Sequence, residues 1–278
     1  MKKFYLLIIF ILSCGDVGEQ KIGYVEIVEN AWELFSEREF EQARTEFTNA
    51  LDYQVLNNIA EAYIGIGWCN LYIANEFTDI TNSNARNELR DIAYNNFISA
   101  QEHDDEATDQ ISDEMKAIMF AGLVFVYDYR LLDFNEQYYN DECPECQASA
   151  TCDLDDFRSN CIIPLAKNIV IESNNLIDKQ ENFEFPYDPT INIDDIRFIR
   201  ARLAFSFDDF ESLEFQNNGT NDVGEYFIHQ QEICFINDFT QDCLELGFEQ
   251  YCIDGEPNIP VEDFLGCLSS FYTPSLNP

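Results

Sequence analysis

The sequence predicts an all-α protein built from antiparallel helical hairpins, with a cysteine-rich insertion and a cysteine-rich C-terminal segment added to them. Two observations predict this. Apolar residues recur three and four apart, not two apart, through 26–51, 58–76, 85–102, 112–133, 162–178 and 192–206, and that period marks helices with one buried face. Small residues also stand where two helices would cross. Ala31 and Ala43 allow close approach of two axes, and Phe40 and Phe47 fill the space on either side.

In chain order, the first element is an export signal. Lys2 and Lys3 precede an apolar run from Phe4 to Leu12, far short of the roughly 20 residues that a spanning helix needs. Ile11-Leu12-Ser13-Cys14 resembles the lipobox of bacterial lipoproteins. The resemblance implies removal of residues 1–13, acylation of Cys14, and, with Gly15 following the cysteine, transfer to an outer membrane. More than one acyl chain makes such attachment stable. Residues 14–25, polar and glycine-containing, read as the acylated tether.

The helical domain is expected over 26–215. Its first unit places Ala31, Leu34, Phe40, Ala43, Phe47, Ala50 and Leu51 at spacings that resemble the tetratricopeptide repeat, departing from that family at Asn30 and Val55. A second unit holds Tyr63, Ile66 and Gly67, then Ala93, Phe97 and Ala100, with Asn70 where the family has an aromatic. A third, weaker one holds Ile118, Ala121, Gly122 and Phe125, then Ala166, Val170 and Ser173, and a further first helix runs from Ile196 to Phe205. The resemblance implies a superhelix of stacked hairpins. By its register Trp32 and Trp68, the chain's two tryptophans, occupy the same position of successive first helices, with Phe35, Tyr72 and Tyr127 beside them. On the concave face these would form a binding row for peptide anchors or sugar rings. The competing reading is that a helical aromatic stripe is core.

The insertion at about 134–161 carries Cys143, Cys146, Cys152 and Cys161; the segment 216–278 carries Cys234, Cys243, Cys252 and Cys267. An even set in an exported chain reads as disulfides, with 105 possible connectivities for eight cysteines. Cys69, within a helical pattern, reads as a buried free thiol. Four thiolates in the first cluster could instead hold zinc, although it supplies a single Cys-x-x-Cys hairpin. Redox chemistry at Cys143-Pro144-Glu145-Cys146 is opposed by Asp141, Glu142 and Glu145, whose charge disfavours a thiolate. Asp153, Asp155 and Asp156 lack the loop glycine and bidentate glutamate of an EF-hand. No metal or cofactor is therefore expected.

Composition narrows the partners. With 53 acidic against 15 basic residues the formal charge is −38, so nucleic acid is excluded, because it must be met by clustered Lys and Arg. A hydrophobic content of 46% excludes disorder. His103 and His229 read as surface residues, and no nucleophile elbow, phosphate-cradling loop or His-Glu-x-x-His occurs, so no catalytic residue is assigned. The expected function is a non-enzymatic envelope adaptor that binds a protein or peptide segment and reaches the membrane through its lipid anchor. The alternative is a glycan-binding lipoprotein of a nutrient-uptake system.

Overall fold

The computed structural model describes residues 17–53, 59–77, 83–107, 110–133, 158–206 and the short pairs 252–253 and 256–257. They are helical almost throughout, as the 3.6-residue period predicts. Helices α1 (Val17–Ser36), α2 (Phe40–Ala50), α3 (Ala60–Glu76), α4 (Ser83–Glu106), α5 (Asp113–Asp133), α6 (Ile163–Lys179) and α7 (Ile193–Ser206) follow in order. A 3-10 turn, Leu51–Tyr53, closes α2, and a π-helical turn, Arg158–Ile162, leads into α6. Strands β1 (Cys252–Ile253) and β2 (Glu256–Pro257) form a two-residue antiparallel pair. Among the described residues no helix is long and apolar enough to cross a membrane. The chain divides into two compact units, with the boundary between Met115 and Lys116.

In the first unit each helix packs on the next, α1 on α2, α2 on α3 and α3 on α4, with α1 also touching α3. The α1–α2 turn is a Schellman motif: the Glu39 amide donates to the Leu34 carbonyl (2.9 Å) and the Arg38 amide to that of Phe35 (2.9 Å). Its left-handed position is taken by Arg38, at φ 67°, where glycine is the usual occupant. Ala43, Phe47 and Ala50 of α2 are fully buried, and so are Ala93, Phe97 and Ala100 of α4. The same spacing thus builds the core in both helices. Each phenylalanine lies against a glycine of α3. A Cβ on Gly67 would stand 2.7 Å from the Phe97 ring, and one on Gly65 would overlap the Phe47 ring. Asn70, at the position where an aromatic was expected, is buried and accepts from Arg44 of α2 (2.9 Å) while donating to the Ile66 carbonyl (2.8 Å). It replaces ring packing with a polar link between α2 and α3.

Two expectations are corrected here. The segment read as a tether is helical from Val17, because Tyr24 and Val28 bury one face of α1 and the Tyr53 ring packs on Gly23. The aromatic row expected on an open concave face is core. Trp68 and Tyr72 are fully buried, and Trp32, Phe35 and Tyr127 are buried as well. The reason is visible in α3, where Ile64, Ile66, Trp68, Cys69, Leu71, Tyr72 and Ile73 leave no polar face. A helix that is apolar all round is buried all round.

In the second unit, Arg200 of α7 is buried and donates to Ser173 Oγ (3.1 Å) and Asn174 Oδ1 (2.8 Å) of α6. Helix α7 starts at a capping box: Asn192 Oδ1 accepts from the Asp194 amide, and Asp195 Oδ2 accepts from the Asn192 amide, both at 2.8 Å. Ahead of it, Phe183 and Phe185 are buried and an isolated bridge pairs Glu184 with Asn192. Helix α5 has a hydroxyl cap, Ser112 Oγ accepting from the Met115 amide (3.1 Å).

Candidate functional site

Four of the five aromatics expected to bind a partner, Trp32, Phe35, Trp68 and Tyr72, pack against other rings of the first unit. The Trp32 ring meets the Phe47 ring edge-on at 4.8 Å, Phe35 meets Tyr72 at 5.1 Å, Phe40 stacks on Tyr72 at 4.6 Å, and Trp68 meets Phe97 at 6.1 Å. Trp32 also has a polar edge. Trp32 Nε1 donates to Glu61 Oε1 across 2.9 Å, tying α1 to the first turn of α3.

Glu61 is half-buried, and burial is the main force pushing its carboxyl above the usual range. The Trp32 N–H pulls the other way, while the like charge of Glu29, exposed on α1, pushes further up. Tyr24 lies beside this pair. Its hydroxyl is buried and has no hydrogen-bond partner among the described residues. Burial and the neighbouring Glu61 both hold it protonated, and the Ala62 amide, close by but outside hydrogen-bond geometry, acts weakly against them. No salt bridge reaches Glu29 or Glu61 among the described residues. The site therefore gathers two carboxyls, an indole donor and an unsatisfied phenol where α1 crosses α3.

The remaining expected sites divide sharply. Cys14, the lipidation residue, lies outside the described residues, as do Cys143, Cys146, Cys152, Cys234, Cys243 and Cys267. Cys252 is described only as part of β1. Cys161 is buried and disulfide-bonded. Cys69 is a free, fully buried thiol, as its helical setting suggested, and burial pushes it far above the ordinary thiol range. His103, read as a surface residue, is half-buried and stacks on Tyr63 with the rings 14° from parallel. Among the described residues no group of three His, Cys, Asp or Glu side chains could hold a metal ion.

Tyr24 and Glu61 were not singled out from the sequence. Tyr24 fell in the segment read as tether, and Glu61 is one of 53 acidic residues. The available signal was local, a lone acid in the run Ile59-Ala60-Glu61-Ala62. Comparison with protein-family models, with curated proteins and with solved structures returned no match. The geometry carries the functional argument.

Proposed function

We propose that this protein is a non-enzymatic lipoprotein of the bacterial cell envelope, held by an acylated Cys14 at the outer membrane, that acts as a protein-binding adaptor on a tetratricopeptide-like stack of helical hairpins. The observation that carries this reading is the repeated buried layer, Ala43, Phe47 and Ala50 in α2 and Ala93, Phe97 and Ala100 in α4, each phenylalanine seated on a glycine of the helix between them. Stacked hairpins of this kind spend their apolar residues on one another and offer a rigid polar outer surface. Here that surface is acidic. Glu26, Glu29, Glu33 and Glu37 are all exposed along α1 and its turn.

Because α1 begins at Val17, soon after the acylated position, the hairpins would stand close to the bilayer rather than on a long flexible arm. The glycan-binding alternative loses its support with the burial of the aromatic row, since sugar rings need exposed ring faces. Contact is assigned to the outer polar faces of α1 and α2. The test is photo-crosslinking in native membranes, using the full lipidated chain with a benzophenone amino acid at Glu33 or Thr48, both exposed. Adducts to one discrete envelope protein, lost on competition with unlabelled protein, are expected. Adducts to lipid alone, or none, would remove the adaptor reading.

A further inference from the structure

We propose that Glu29 and Glu61 form a two-carboxylate clasp for the cationic head of a lysine or arginine side chain presented by a partner protein. The inference rests on the adaptor reading and names the chemistry of its partner.

Glu61 uses one oxygen to accept from Trp32 Nε1 at 2.9 Å, and Glu29 stands one helical turn before Trp32 on α1, close enough for its like charge to act on Glu61, with no cation paired to either carboxyl among the described residues. A desolvated carboxylate opposite a like charge is unfavourable unless a cation joins it. The nearest basic residue of α2, Arg44, is committed elsewhere, to Asn70 and to Glu41. Among the described residues, the charged and titratable groups that act on Glu61 or feel its charge are Glu29 and Tyr24, both from α1.

The second observation is Tyr24, more than nine-tenths buried, whose hydroxyl has no hydrogen-bond partner among the described residues and lies in the field of Glu61. A buried O–H left unpaired costs stability. Ionised Glu61 would offer that O–H an acceptor at the back of the site, while an ammonium or guanidinium group approaches Glu61 and Glu29 from solvent. The cation thus removes the carboxylate repulsion and lets the orphaned phenol donate. A metal ion fits less well. Two carboxyls and a phenol supply too few oxygens for calcium, which takes about six to eight.

The balance of the binding step is simple. When Glu61 starts neutral, its proton leaves to solvent as the cation arrives, so binding strengthens as pH rises through its elevated titration range. No covalent bond changes.

The probe is a fluorescein-labelled peptide, Gly-Ser-Lys-Lys-Gly-Ser, titrated into the full lipidated chain in micelles at about 0.15 M salt, where long-range attraction to a polyanion is largely screened. Glu61→Gln and Glu29→Gln should each weaken binding about tenfold, the loss of one charge-assisted bond. Glu102→Gln, an exposed control on α4, should leave it unchanged. Trp32 can still donate to a glutamine, so unchanged circular dichroism separates lost binding from lost fold. Equal affinity in the Glu61→Gln and Glu102→Gln proteins would overturn the clasp. The two readings fail separately: a crosslinked envelope partner whose capture ignores Glu61→Gln defeats the clasp alone. Peptide binding that depends on Glu61, with no protein crosslinked in membranes, defeats the adaptor alone.

Discussion

At the scale of single residues, the balance around Glu61 makes a prediction about stability as well as binding. Its pKa is raised in the folded protein, mainly by burial, so the folded state holds the proton more tightly than the unfolded chain. Such a group stabilises the fold most below its unfolded value, about 4.3, and that contribution is lost as pH rises through the higher folded value. Glu61→Gln mimics the neutral form at every pH. In the absence of a cationic ligand, the variant should melt above wild type at pH 7, and the gap should close as pH falls toward 4. A gap of constant size would show that Glu61 does not titrate abnormally. Cys69 supplies a second residue-scale expectation. With its thiol buried and its ionisation suppressed, it should resist iodoacetamide in native protein and react only after denaturation. Rapid native labelling at Cys69 would contradict the packing of α3. The burial of Cys69 was legible in its helical setting, whereas the behaviour of Glu61 was not, because its partner is Trp32, 29 residues away, and its desolvation exists only once α1 and α3 meet.

At the scale of elements, α3 carries the sharpest packing test. Gly65 and Gly67 stand in a helix interior, where alanine is favoured by roughly 1 kcal/mol. A Cβ at Gly65 would overlap the Phe47 ring, itself fully buried and pressed edge-on by Trp32. Overpacking of that kind costs typically 1–3 kcal/mol, about twice the propensity gain. Gly65→Ala should therefore destabilise despite its better helix propensity, and adding Phe47→Leu should recover part of the loss. Additive effects in that double-mutant cycle would break the link between the two positions. Arg38 works in the opposite direction. A non-glycine residue in the left-handed region costs roughly 1–2 kcal/mol, more than the roughly 0.5–1 kcal/mol entropic cost of glycine. Arg38→Gly should raise stability by about 0.5–1 kcal/mol in urea unfolding, and a loss would mean that the arginine side chain outweighs its backbone. These elements were legible to different degrees. The expected helix at 58–76 became Ala60–Glu76 and that at 192–206 became Ile193–Ser206, because apolar periodicity and the Asn192 cap are local signals. The N-terminal part of α1 was missed since its polarity resembles a linker until Tyr24 and Gly23 find the core. The aromatic stripe was seen, but its exposure depends on neighbours that periodicity cannot supply.

At the scale of the whole molecule, the dominant quantity is the formal charge of −38. With 15 basic residues against 53 acidic ones, most carboxylates have no basic side chain to pair with, and the ion pairs of Arg44 with Glu41 and of Arg197 with Asp194 each lie within a single helix. Such short-range surface pairs contribute at most a fraction of a kcal/mol each. Self-repulsion among the remaining carboxylates therefore opposes compaction, and salt should relieve it. The Debye length falls from about 10 Å at 0.1 M to about 3 Å at 1 M, so carboxylates on neighbouring helices cease to feel one another across that range. Melting temperature should rise with sodium chloride, and because about 1 kcal/mol moves the midpoint of a chain this size by roughly 2–4 °C, a rise of several degrees is the expected scale. Screening and specific cation binding separate on comparison of sodium chloride with magnesium chloride at matched ionic strength. Coincident curves would assign the effect to screening, and a larger magnesium effect to discrete carboxylate sites. A midpoint that stays flat or falls with salt would mean that the acidic residues are arranged in the folded state so as to avoid one another, and that the charge contributes to solubility without loading the fold.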